Sequence, residues 1–235
     1  MSSSPHRHLP MAETASAHPF SWERARSLVL GLAALAAVFF ASSLSQPWWS
    51  FKLYAPQYPQ GLTLVISLSG MGGDVHEIDL LNHYIGMKHL ADAAPNERML
   101  AGYGVAAIGV LTLAGMALAG KKLNKWVAIP AVAFPVVFLA DSFYWLYSFG
   151  HDLDPKAPLR IGAFTPELFG NGQIGQFATF AQPAAGFWVA LAGVALAVAA
   201  NVVRSRVCTH CAQASECSLV CPRAMVLPDK ARSAS

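Results

Sequence analysis

Four apolar runs constrain this chain more than any other feature: Leu28 to Leu44, Met99 to Gly120, Trp126 to Phe149 and Ala184 to Val203. Each is near the ~20 residues that a helix rising ~1.5 Å per residue needs to cross ~30 Å of hydrocarbon. Composition agrees. Of the 235 residues, 54% are hydrophobic and 12% charged, whereas soluble domains carry about 45–50% apolar and about 25% charged residues. The first run follows Arg24 and Arg26 and also has the look of a signal-peptide core. It is longer than such a core, and its leading tail is long, so we read it as a retained span. The formal net charge of +3 is too small to suggest nucleic acid as a partner; membrane lipid is the expected one.

Basic residues set the expected orientation. Arg7, Arg24 and Arg26 precede the first span, Lys121, Lys122 and Lys125 crowd the link between the second and third, and Arg204, Arg206, Arg223, Lys230 and Arg232 follow the fourth. The expected fold class is therefore an all-α polytopic protein of the bacterial inner membrane. It has four transmembrane helices, both termini cytoplasmic, and two long periplasmic loops carrying some strand and short-helix structure. The expected divisions are a flexible tail over 1–26 (with Met1 or Met11 as the start), spans at 27–46, 99–120, 126–149 and 184–203, outer loops at 47–98 and 150–183, a turn at 121–125, and a cysteine-bearing tail over 204–235. Trp48, Trp49, Phe51 and Tyr54 read as an aromatic belt at the outer interface, as do Phe143, Tyr144, Trp145, Tyr147 and Phe149. Small residues four apart, Gly102 with Ala106, Gly115 with Ala119 and Gly193 with Ala197, allow close helix approach.

In the first outer loop, Leu62, Leu64, Ile66 and Leu68 alternate with Thr63, Val65, Ser67 and Ser69, the period of a strand with one buried face. Gly70, Gly72 and Gly73 end it. Asp74 and Glu77 resemble a capping box that opens a helix near Val75. On that helix His76, Leu80, His83 and Met87 share one face. Imidazole and thioether together suit copper or a haem iron, because both are ligands of soft or borderline metals. The alternative is that His83 and Tyr84 satisfy hydrogen bonds where the loop packs on the membrane domain and Met87 fills the core. His89 lies on the other side unless Gly86 breaks the helix. In the second loop, the glycines of Phe169 to Phe177 stand at turn spacing, and the loop reads as a cap on the first. Asp141, inside the third span toward its outer end, is a candidate intramembrane acid that relays protons, pairs with Arg98 or simply reaches water.

All four cysteines lie in the last tail. Cys208-Thr-His-Cys211 and Cys217-Ser-Leu-Val-Cys221-Pro222 look like the two ends of a bacterial ferredoxin motif, with five residues in the middle where two are usual. Cys208, Cys211, Cys217 and Cys221 are thus candidate ligands of an iron–sulfur cluster or of tetrahedral zinc, with His210 in reserve; an unmetallated remnant or redox thiols are the alternative. No catalytic set is expected.

The strings Ala55-Pro-Gln-Tyr-Pro-Gln-Gly-Leu62, Leu81-Asn-His-Tyr-Ile-Gly-Met87 and Leu153-Asp-Pro-Lys-Ala-Pro-Leu159 are similar to those of four-span membrane proteins that accompany nitrous oxide reductase. The resemblance covers the outer loops and flanking spans and leaves out the cysteine tail. It implies an accessory role outside the cytoplasm, in copper delivery, maturation or electron supply to that periplasmic copper enzyme. A structural subunit without metal and a small quinol-linked redox protein, with Asp141 and His83 near the quinone, are the alternatives.

Overall fold

A computed structural model of the chain describes residues 22–206 together with Leu219. The expectations for 1–21 and for the cysteine tail lie outside the described residues. Four helices are long and apolar enough to cross a membrane: α1 (Trp22–Ser43), α3 (Pro95–Leu118), α4 (Lys121–His151) and α5 (Ala185–Arg206). Between α1 and α3 lie strands β1 (Trp49–Ala55), β2 (Tyr58–Ser67) and β3 (Gly70–Gly73), then helix α2 (Val75–Ile85). Between α4 and α5 lie β4 (Gly170–Ile174) and β5 (Phe177–Pro183).

The all-α expectation is overturned. The segments between the spans build one five-stranded antiparallel sheet in the order β3-β2-β1-β5-β4, so the two loops are parts of a single layer. β1 joins them, pairing on one side with β2 (Trp49 opposite Ile66) and on the other with β5 (Trp49 opposite Pro183). The physical reason is continuity. β1 leaves the end of α1 and β5 runs into the start of α5, so the two strands prolong a helix pair that is already side by side.

The bundle is a ring in which α1 packs on α3 and α5, and α4 closes the other side against both. On α1 the buried residues Val29, Ala33, Ala36 and Phe40 recur at helical spacing, and on α5 so do Ala190, Gly193, Val194, Ala197 and Ala200. Small side chains on both faces let the backbones approach; a methyl on Gly193 would stand 3.3 Å from the Ala36 carbonyl. Gly102 and Ala106 do not serve this purpose: Ala106 is exposed and Gly102 has nothing within 4 Å of its absent Cβ. α4 continues through Pro130 and Pro135. It begins at Lys121, which shortens the expected link to Ala119 and Gly120. There Arg204, fully buried, donates from Nη2 to the Ala119 carbonyl at 3.1 Å, and Asn201 donates to the Asn124 carbonyl at 3.2 Å. A cation at the carboxyl end of α3 is the favourable sign for the helix dipole.

At the other end, Trp48 and Trp49 are 1% and 2% exposed, so they are core and not a lipid-facing belt. The Trp48 indole donates to the Ser43 carbonyl at 3.0 Å, satisfying one of the carbonyls left over at the end of α1. Its ring meets Phe134, Phe138 and Phe187 at centroid distances of 5.5, 5.1 and 6.3 Å. The backbones close around it, with Ala184 N–H donating to the Trp48 carbonyl at 3.0 Å and Gly186 N–H to the Pro47 carbonyl at 2.7 Å. A Cβ at Gly186 would lie 2.6 Å from Trp48 Cδ1. Gly186→Ala is therefore expected to destabilise by about 1–3 kcal/mol through overpacking. The control is Gly31→Ala, where nothing lies within 4 Å. Thermal unfolding in detergent checks this: the midpoint falls for Gly186→Ala and is unchanged or raised for Gly31→Ala.

Candidate functional site

Helix α2 lies against the sheet through Ile78, Leu81 and Ile85, which join Leu62, Leu64 and Phe177 in one buried cluster. Its opening differs from a capping box. Asp74 precedes Val75 but makes no side-chain cap; its Oδ2 accepts from the Thr63 N–H at 2.8 Å, tying the helix start to β2. Its close is set by Gly86, at φ 81° in the left-handed region, with Met87 N–H donating back to the Asn82 carbonyl at 2.9 Å. This is a Schellman-type stop, which glycine adopts without steric cost. A side chain at Gly86 would also strike the second connecting segment, 2.9 Å from the Asp154 backbone. Asp154 N–H donates to the Gly86 carbonyl at 2.8 Å, and Leu159 N–H to the Tyr84 carbonyl at 2.9 Å. The Asp152 carboxylate adds an ion pair to Lys88, and that hydrogen bond and charge hold the ammonium pKa above the ordinary lysine value.

This geometry separates the proposed copper ligands. His76 and His83 are exposed, as is Leu80 between them, and stand roughly 10.5 Å apart along the helix axis at ~1.5 Å per residue. Met87 lies past the Gly86 stop and packs on the buried cluster instead. His89 also lies past the stop, with Nδ1 3.6 Å from Asp79 Oδ2. Among the described residues no group of three or more His, Cys, Asp or Glu is placed to share a metal ion. Cys208, His210, Cys211, Cys217 and Cys221 lie outside the described residues.

What the fold brings together is different. A cavity of about 580 Å³ lies under the sheet and α2, against the ends of α3 and α4 nearest them. That size is typical of sites that bury a small molecule. Its wall is mostly apolar: Trp48, Phe51, Leu64, Leu81, Met87, Phe134, Phe138 and Phe149. Leu100 of α3 and Val137 of α4 also line it, yet they are 58% and 60% exposed. They mark an opening of the cavity between α3 and α4, on the exposed side of the bundle.

Polar groups interrupt this wall. Asn82 is 6% exposed and Trp49 is 2% exposed; both line the cavity, and neither Asn82 Nδ2 nor Trp49 Nε1 has a hydrogen-bond partner among the described residues. Glu97 Oε2 is likewise buried without a partner. Glu97 is close enough to Asp141 for the two charges to interact, and the Trp145 indole stands beside the Asp141 carboxylate. Asp141 does not pair with Arg98, whose Nη2 donates to the Ala91 carbonyl. Trp145 Nε1 is also buried without a geometric hydrogen-bond partner. Buried polar atoms in native proteins are nearly always satisfied, so four in one cavity point to hydrogen bonds completed by something that enters it.

Sequence reasoning found Asp141 and missed Glu97, Asn82, Trp49 and Trp145 as members of one site. For Glu97 a signal existed: it is an acid in the first turn of one span, and Asp141 lies near the corresponding end of the next. For Asn82 none did. Among the described residues the fold places an antiparallel sheet over an apolar pocket at one end of four helices long and apolar enough to cross a membrane. No family model and no curated protein matches the chain.

The stability consequence is testable. An unpartnered buried amide costs on the order of 1–3 kcal/mol. Asn82→Leu, facing a cavity with room for the larger side chain, is expected to raise the unfolding midpoint of delipidated protein. Differential scanning calorimetry in a lipid-free detergent would show it; a lowered midpoint means the amide is satisfied.

Proposed function

We propose that the protein binds a small amphipathic molecule drawn from the bilayer, holding its tail against the apolar wall beneath the sheet and its polar head at Asn82, Glu97 and Asp141. The single observation that carries this reading is the cavity's combination of properties. It is apolar and of ligand size, opens between Leu100 and Val137, and contains unpartnered buried polar atoms.

The setting we propose is the bacterial inner membrane, with both termini cytoplasmic and the sheet on the periplasmic side. It rests on the excess of Lys and Arg at the end of the bundle opposite the sheet. The similarity of the 55–62, 81–87 and 153–159 strings to accessory proteins of nitrous oxide reductase supports a place in respiratory metabolism. The outer face of the sheet then meets the periplasmic partner, and the lipophilic molecule below is of the quinol-linked kind. Two of those strings meet in space, since Gly86 and Tyr84 bond to Asp154 and Leu159.

Filling the cavity tests the reading. Ala101 lines it, and Ala101→Trp is expected to weaken binding of decyl hydroquinone or palmitate, whichever binds the wild type, by at least about tenfold, or ~1.4 kcal/mol. Val110→Trp, at an exposed position on the same helix, leaves binding unchanged. Native mass spectrometry of detergent-solubilised protein reads both. Equal binding by Ala101→Trp and wild type removes the cavity as the site.

A further inference from the structure

Given that cavity reading, on which this step rests, the polar groups in the wall also specify the head of the ligand. We infer that the site takes an amphiphile with a neutral hydroxyl head, a hydroquinone or an isoprenoid alcohol, and rejects anionic amphiphiles of similar tail length.

The argument is one of donors, acceptors and charge. Asn82 Nδ2, Trp49 Nε1 and Trp145 Nε1 are donors that need an acceptor, and Glu97 Oε2 is an acceptor that needs a donor. A hydroxyl offers both from one oxygen. A carboxylate or phosphate offers acceptors alone. It would also add a negative charge to a wall that already holds Glu97 and Asp141 within electrostatic reach of each other. Like charges are costly where water is scarce.

Two cations line the same cavity, and both have other partners. The Arg98 guanidinium donates to the Ala91 carbonyl. The Lys52 ammonium stands over the exposed Tyr54 ring, 5.3 Å from its centroid. Neither forms an ion pair with Glu97 or Asp141. A hydroxyl donated to a carboxylate is a charge-assisted hydrogen bond, about twice as strong as a neutral one. The Glu97 carboxylate thus attracts the neutral head by the same charge that repels the anionic one. No electron transfer is required for this selection.

The test uses full-length protein in a non-ionic detergent near neutral pH, titrated with decyl hydroquinone, farnesol and palmitate and read by native mass spectrometry. The expected result is that at least one hydroxyl amphiphile binds about tenfold or more tightly than palmitate; comparing hydroquinone with farnesol identifies which source of the hydroxyl is preferred. Glu97→Gln and Asp141→Asn, which keep size and remove charge, are expected to bring that ratio below about threefold by weakening the hydroxyl ligand and improving palmitate. Thermal midpoints near wild type show that the variants are folded, and if one single variant is not, the other carries the measurement. If palmitate binds as well as the hydroxyl amphiphiles, or if the preference is unchanged in the folded variants, the head-group inference is wrong while the cavity reading stands. If none of the three binds the wild type, both fall.

Discussion

The pairing of β1 with β5 is the interaction on which the rest of the structure depends. A helix leaving a membrane exposes carbonyls with no partner in the next turn, and a helix entering one exposes amides in the same state. In a medium without water such groups cost several kcal/mol each. Here the junction satisfies them locally: the Trp48 indole takes the Ser43 carbonyl, and Ala184 and Gly186 donate to Trp48 and Pro47. Once the ends of α1 and α5 are locked in this way, the chain beyond them is already aligned as two antiparallel strands. β2 and β4 then add to the outer edges of that pair.

The same lock explains why a cavity exists. Only α1 and α5 continue into the sheet. α3 is reached through α2 and a short 3-10 turn at Leu90–Asp92, and α4 leaves through the long segment after His151. The sheet therefore stands on one half of the bundle, and with α2 it overhangs the other half. Beneath the overhang α3 and α4 present Leu100, Ala101, Phe134 and Val137 to the space. At their far end the two helices are held close, because Gly115 leaves room for Val127 and a side chain there would strike it.

The four long apolar helices were legible because sustained apolarity over about 20 residues is itself the signal of a helix able to cross a membrane. α2 and the core of β2 were legible from periodicity, and Leu62, Leu64 and Leu68 are indeed buried. β3 and β4 were not. Gly-Met-Gly-Gly and Gly-Asn-Gly-Gln-Ile carry little strand propensity, and both are edge strands placed by pairing with β2 and β5. Trp48 and Trp49 were misread for a related reason. Aromatic residues at a membrane boundary fit a lipid belt as well as a packed core, and only the closure of β5 and α5 around them decides. For the site, Asp141 stood out as an acid in a span. Its grouping with Glu97, Asn82 and Trp49 depends on three elements meeting under a sheet the one-dimensional pattern does not contain.

The packing that holds the bundle and the proposed ligand site fall in different parts of this molecule. The tightest packing runs along α1 and α5 through Ala33, Ala36, Ala190, Gly193 and Ala197, and ends at the Trp48 junction. α4, by contrast, has little of its length buried. At the closed end of the α3–α4 hairpin, Arg204 and Asn201 of α5 hold the turn through Ala119 and Asn124. At the open end, Glu97 sits in the first turn of α3, where helix amides favour a negative charge. An acid there needs no cation from the protein to be tolerated, so the carboxylate remains available to a ligand's donor. In the proposed reading, a molecule enters between Leu100 and Val137, away from the contacts that hold the bundle.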